Sequence, residues 1–80
     1  MKYPTGEDVR LGDRVELWKG CAGVVVAVID RGEYASDYPK AEWQYLKAGV
    51  LINSDVAGLI HYLEPEKTLK LRERASMRRS

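Results

Sequence analysis

Two side chains of this sequence belong to the types that most often carry out catalysis: its one histidine and its one cysteine. His61 lies in the apolar run LIHYL, and Cys21 lies in the segment KGCAG. A general base needs an orienting partner, and a zinc site needs further nitrogen or thiolate ligands, but the sequence marks neither for His61. Lys19 could activate the Cys21 thiol, yet no second reactive group adjoins it. We therefore expect no enzyme activity, no catalytic residue, no metal site and no cofactor.

A more informative group of residues combines acidic and aromatic side chains between positions 30 and 45. The spacing of the carboxylates matches neither a calcium loop nor a di-carboxylate helix pair. Tyr and Trp interleaved with acidic charge instead suit a protein-protein interface, because aromatic side chains anchor a partner and charges steer it. The predicted partner-binding residues are Tyr34, Asp37, Tyr38, Glu42, Trp43 and Tyr45.

A structural role competes with this interface role at several of these positions. Asp37 is also a candidate helix cap. Tyr38 and Trp43 are favoured as the cover of a neighbouring apolar strand, whereas Tyr34 and Tyr45 fit either role, because helical spacing alone does not separate burial from an interface.

The basic residues suggest a different class of partner, a nucleic acid. Binding of phosphate requires clustered Lys and Arg that displace counterions. Residues 1–71, however, hold nine basic and eleven acidic side chains, a net charge of −2, whereas residues 72–80 hold four and one, a net charge of +3. The mildly acidic body favours a protein partner. The nucleic-acid-binding residues in the alternative are Arg10, Arg14, Lys19, Arg72 and Arg74.

The elements that must position these side chains begin with the run LGDRVELWKGCAGVVVAVID at residues 11–30. Val15 and Leu17 alternate with polar neighbours, which is the period of a strand with one buried face. Two glycines within residues 20–23 suit a chain reversal. Residues 24–29 are apolar on both faces and predict a central strand that is covered on each side.

The remaining elements follow from turn and helix signals. A helical insertion at about residues 36–48, with Ser36 or Asp37 as its N-cap and Gly49 as its terminator, supplies a cover for the central strand. Its aromatic face would pack on that strand. Leu69 and Leu71 of the last strand should close the core. The other predicted strands are a short one at 9–11, a hairpin at 50–53 and 58–63, and the closing strand at 68–72.

The first hairpin carries a family likeness. The segment LGDRVEL at residues 11–17, followed by Gly20, Gly23 and the valines at 24–26, resembles the KOW-type hairpin of Src-homology-3-like barrels. The resemblance covers about a quarter of the chain directly, and it implies a small barrel that serves as a binding module. In nucleic-acid-binding members the glycine turn usually carries several basic residues, whereas this turn has Lys19 beside Cys21 and Ala22.

The predicted fold class is mainly β, a small and partly open Src-homology-3-like barrel of five or six strands with one short helical insertion. Residues 1–74 are expected to form this single domain, with residues 75–80 as a disordered basic tail. A hydrophobic content of 45% with 31% charged residues is ordinary for a folded soluble domain. The sequence has no long apolar run and no secretory leader, so we expect a cytoplasmic protein without membrane contact.

These observations together predict a non-enzymatic binding module that engages a protein partner. Small size, an acidic body and the lack of catalytic groups suggest, in its sharpest form, an immunity-type inhibitor that occludes a bacterial toxin. The alternative is a KOW-like nucleic-acid- or ribosome-associated module that uses the basic set.

Overall fold

The computed structural model describes residues 2–64 and 67–74. The predicted basic tail at 75–80 lies outside these residues, as does Pro65 before the last strand. The strands in the described part of the chain are β1 (Arg14–Trp18), β2 (Cys21–Val28), β3 (Glu33–Tyr34), β4 (Val50–Ser54), β5 (Gly58–Tyr62) and β6 (Lys70–Glu73). The helical elements there are a 3-10 turn at Ile29–Arg31, the helix α1 at Lys40–Trp43 and a second 3-10 turn at Gln44–Leu46.

The strands form one open antiparallel sheet. Its order is β5-β4-β2-β1-β6, and β3 pairs with the end of β2 at Ala27 and Val28. The predicted fold class is confirmed at this level: a mainly β domain with a six-stranded open sheet and one short helix. The long strand β2 is central because β1, β3 and β4 all pair with it.

Strand β2 separates two apolar clusters. Val15 and Leu17 of β1 are buried, as their alternation predicted. They belong to the larger cluster, here called the inner core, together with Tyr3, Val9, Cys21, Val25, Val28, Val50, Ile52 and Leu69. On the other side of β2, the insertion cluster consists of Val26, Ala27, Ile29 and Leu51, covered by Tyr34, Ala35, Tyr38, Trp43 and Leu46. The doubly apolar strand is thus covered on both faces.

The segment at residues 9–11 forms no strand, contrary to the prediction. The chain turns there instead, since the amide of Asp13 donates to the carbonyl of Arg10 (3.1 Å). The amide of Gly12 then donates to the carbonyl of Val25 (2.9 Å). Val9 still lies in the inner core, so its apolar side chain reflects burial rather than strand pairing.

The helix is shorter than predicted and begins later. Pro39 occupies the N-cap position, where no side chain caps the helix, so neither Ser36 nor Asp37 serves as the cap. These two residues instead form a turn in which the amide of Tyr38 donates to the carbonyl of Ala35 (2.9 Å). Proline disfavours helical geometry in the residue before it, which explains why the helix cannot start earlier.

Candidate functional site

The segment between β2 and β4, residues 29–49, is here called the insertion, and hydrogen bonds hold its two ends together. The amide of Ile29 donates to the carbonyl of Gly49 (2.9 Å), and the amide of Gly49 donates to Oδ1 of Asp30 (3.1 Å). The two ends of the insertion therefore lie side by side, and the chain between them folds back over β2 and β4. Gly49 has a φ of 89°, and a Cβ there would collide with the carbonyl oxygen of Tyr62. Only glycine fits this junction without a shift of the backbone.

Three aromatic side chains of the insertion act as its cover. Tyr34, Tyr38 and Trp43 are each half-buried against the insertion cluster. The rings of Tyr38 and Trp43 lie 6.0 Å apart at an interplanar angle of 48°, a tilted geometry that aromatic pairs favour. The inner surface of these residues has a packing role, and their outer surface is open to solvent.

Tyr45 differs from the other aromatic residues because it is not part of the cover. Its ring stacks on Trp43 at a centroid distance of 6.4 Å and an angle of 25°, while 66% of the residue stays exposed. The 3-10 turn at Gln44–Leu46 and the left-handed conformation of Lys47 hold the backbone around it. Tyr45 therefore presents a large apolar ring to solvent on a fixed support.

The two carboxylates of the predicted site are also exposed. Within residues 2–64 and 67–74, the side chains of Asp37 and Glu42 form no hydrogen bond or ion pair. Asp37 lies in the turn before α1, next to Tyr38, and Glu42 lies in α1, next to Trp43. Each carboxylate thus adjoins a residue of the aromatic cover and is available to a cationic group from outside.

Three of the five residues of the alternative basic set lie within ion-pair distance of carboxylates of the same chain. Arg14 lies 4.0 Å from Glu73, and Arg72 forms an ion pair with Glu16. The hydrogen bond from Arg72 holds the pKa of Glu16 below its usual value. Arg14 and Arg72 also line one groove of about 430 Å³ beside β2, to which Asp55 contributes a carboxylate. Lys19 stays exposed in the β1–β2 turn.

Arg74 has a structural role that sequence reasoning missed. Its side chain is 19% exposed and donates to Oδ2 of the buried Asp13 (3.1 Å) and to the carbonyl of Asp8 (2.8 Å). The same Asp13 oxygen accepts hydrogen bonds from the Tyr3 hydroxyl (2.6 Å) and the Arg10 amide (2.9 Å). Burial, followed by the bond to Asp13, raises the pKa of Tyr3 above its usual value. This network ties both ends of the described chain to the turn before β1.

The two residues first considered for catalysis occupy structural positions. Nε2 of His61 lies 2.8 Å from the carbonyl oxygen of Ala48, next to the Gly49 junction. Cys21 is a free thiol buried in the inner core. Among the described residues, no group of three or more His, Cys, Asp or Glu side chains could hold a metal ion.

The described part of the chain contains no helix that is long and apolar enough to span a membrane. Contacts in the structure link four of the predicted site residues: Tyr34, Tyr38 and Trp43 as a half-exposed cover, and Tyr45 as an exposed ring stacked on Trp43. Asp37 and Glu42 lie on the same insertion as exposed carboxylates. Comparisons with protein-family models, with curated proteins and with solved structures found no match.

Proposed function

We propose that this protein is a non-enzymatic binding module that engages a protein partner through its insertion. The observation that carries the proposal is Tyr45, which is 66% exposed while its ring stacks on Trp43. A large aromatic side chain whose orientation is already fixed loses little entropy on binding, and such residues dominate the energy of protein interfaces.

Two exposed carboxylates on the same insertion support a partner with cationic groups. Asp37 and Glu42 are exposed and have no internal partner in the described part of the chain. Carboxylates at the rim of an interface steer oppositely charged partners and add specificity more than affinity. The partner surface that fits is therefore an apolar pocket for the Tyr45 ring, bordered by Lys or Arg side chains.

In its sharpest form, the proposal is an immunity-type inhibitor that occludes a bacterial toxin in the cytoplasm. The small size of the described domain and an exposed aromatic anchor on an insertion that packs against the sheet support an occluding role. The glycine-turn hairpin formed by β1 and β2 supports the likeness to Src-homology-3-like barrels, whose members serve mainly in recognition.

The alternative, a nucleic-acid- or ribosome-associated module, has weaker support from the charges. Arg14, Arg72 and Arg74 each pair with a carboxylate of the same chain. Phosphate binding by Arg74 would have to break a buried pair, and binding by Arg72 would have to break a hydrogen-bonded one. The exposed Arg14–Glu73 pair, 4.0 Å apart, is no such obstacle. Phosphate binding would also make the affinity fall steeply with salt concentration, because each phosphate contact releases counterions.

Photo-crosslinking of this protein to its neighbours inside native cells tests the proposal. A benzophenone amino acid replaces Tyr45 in one variant and Val56, which is 68% exposed in the β4–β5 turn, in a matched control. We expect a defined protein adduct from position 45 and none from position 56. If the adduct contains a toxin, adding the purified protein should inhibit that toxin at a one-to-one ratio.

Two results would overturn the proposal. Adducts of equal yield from both positions would mean that collisions, not a site, produce them. A nucleic-acid adduct at either position, with no protein adduct at 45, would favour the alternative module.

A further inference from the structure

A cavity of about 550 Å³ opens between the N-terminal loop and the start of the insertion. Its volume is in the range of small-molecule sites. Tyr45 does not line it, and of the predicted partner-binding residues only Tyr34 does. The lining residues are Arg10, Leu11, Arg31, Gly32, Glu33 and Tyr34.

Two guanidinium groups line the cavity, those of Arg10 and Arg31, and neither forms a strong ion pair with a described carboxylate. The Arg10 side chain pairs with no carboxylate in residues 2–64 and 67–74, since Asp13 accepts its backbone amide only. Nε of Arg31 lies 3.8 Å from Oε1 of Glu33, and both side chains are about half exposed. Exposed pairs of this kind contribute little energy and exchange readily with solvent. Both guanidinium groups are therefore available to a ligand.

The net charge of the cavity lining indicates the charge of the ligand group that fits it. Arg10 and Arg31 against Glu33 leave the lining with a net charge of +1. A further carboxylate that interacts electrostatically with Arg10 and Arg31, Asp8, is already paired with Lys2 at 2.9 Å. A ligand group with a single negative charge neutralises this lining, whereas a phosphate dianion would leave the filled site with a net charge of −1.

We propose that this cavity binds a carboxylate carried on a small apolar or aromatic body. Arg10 and Arg31 donate hydrogen bonds to the carboxylate, for which the planar guanidinium fork is suited. Leu11 and Tyr34 contact the carbon body of the ligand. The amide of Gly32 does not take part because it donates to the carbonyl of Ile29 (3.1 Å).

Titration followed by NMR of the arginine Nε–H signals tests this site with benzoate as the probe. Benzamide, which has the same ring and no charge, is the matched ligand control. We expect saturable shifts of the Arg10 and Arg31 signals with benzoate, at a dissociation constant on the order of 1 mM for so small a probe, and none with benzamide. The carboxylate could also belong to a glutamate side chain of another protein, and N-acetylglutamate methylamide is the probe that imitates it. Tighter binding of this probe than of benzoate assigns the site to an acidic side chain, and the reverse assigns it to a free acid.

Substitutions of the lining arginines test whether benzoate binds in this cavity. Arg10→Gln and Arg31→Gln should each weaken benzoate binding about tenfold, the effect expected from losing a charged hydrogen bond. Arg10→Lys should weaken it less, because the charge remains and the fork is lost. Lys19→Gln, which removes an exposed cation in the β1–β2 turn, should leave the affinity unchanged within about twofold, as for a charge that touches no ligand. Far-UV circular dichroism checks that each variant is folded.

Three results would overturn the proposal. The first is a linear, non-saturating shift with benzoate. The second is equal binding of benzoate to the Arg10→Gln and Lys19→Gln variants. The third is saturable binding of inorganic phosphate with none of either carboxylate probe. Because none of these measurements involves Tyr45 or a protein partner, they leave the proposed function untouched.

Discussion

The two faces of β2 are both apolar, but they are covered in different ways. The inner core is closed by strands and by the N-terminal segment that holds Tyr3 and Val9, and members such as Leu17 and Ile52 have no exposed surface. The insertion cluster lies under side chains that are themselves half exposed, such as Tyr38 and Trp43. Buried apolar surface stabilises a fold in proportion to its area. The inner core therefore supplies most of the stability, and the cover of the insertion cluster leaves aromatic surface exposed to solvent.

This difference predicts that the substitutions that lower the free energy of unfolding most should affect partner binding least, and that the converse should also hold. Substitutions in the inner core should lower the free energy of unfolding and leave the partner surface intact in the molecules that fold. Substitutions on the outside of the insertion should weaken partner binding and leave the free energy of unfolding nearly unchanged. The variants that follow run from the largest expected effect on unfolding to the smallest.

Replacement of Ile52 in the inner core should have the largest effect. Ile52→Ala removes a fully buried side chain between β2 and β5 and should lower the free energy of unfolding by about 4 kcal/mol, through lost burial and a residual cavity. Urea denaturation followed by circular dichroism measures it. Leu59→Ala on β5, where the residue is 37% exposed, is the control. Equal losses in the two variants would contradict the assignment of stability to the inner core.

Loss of the buried carboxylate should be nearly as costly. Asp13→Ala leaves the Arg74 guanidinium and the Tyr3 hydroxyl without their acceptor. Breaking a buried ion pair from one side costs about 3 kcal/mol or more. Tyr3→Phe removes a single hydrogen bond to the same oxygen, and should cost about 1 kcal/mol. The same urea titration compares them, and an Asp13→Ala variant as stable as Tyr3→Phe would show that Arg74 finds another partner.

The cover of the insertion cluster should give an intermediate effect. Trp43→Ala exposes the insertion cluster and removes the ring that contacts both Tyr38 and Tyr45. Because Trp43 is half-buried, we expect a loss of about 2 kcal/mol, below the range for a fully buried aromatic residue. Proton exchange should rise at the amides of residues 35–38 and 40–47 and stay unchanged at Val25, whose amide donates to the backbone carbonyl of Asp13. Uniformly faster exchange would contradict the separation of the two clusters.

Much of this arrangement follows from the sequence. The alternation around Val15 and Leu17 predicts the inner face of β1, and the doubly apolar run in β2 predicts that the insertion must cover it. These features depend on local period and on burial, which a sequence displays directly. The helix boundary was less predictable, because Ser36 and Asp37 are good caps in isolation and the effect of Pro39 on Tyr38 outweighs them.

The roles of individual side chains were harder to predict. Asp13 and Arg74 are 61 residues apart in the chain, and no local pattern indicates that they pair. Tyr38, Trp43 and Tyr45 share one short segment, yet only the three-dimensional path of the backbone places the first two over β2 and leaves the third exposed. The cavity lined by Arg10 and Arg31 likewise forms where two distant segments meet.

The affinity of the Tyr45→Ala variant for the protein captured at position 45 tests the central claim most directly. Isothermal titration calorimetry gives the dissociation constant, and urea denaturation of the same sample gives the stability. We predict at least a tenfold weaker complex, as for an interface anchor, with the free energy of unfolding changed by less than about 0.5 kcal/mol, as for an exposed residue. An unchanged dissociation constant would contradict the account and move the partner surface away from the insertion.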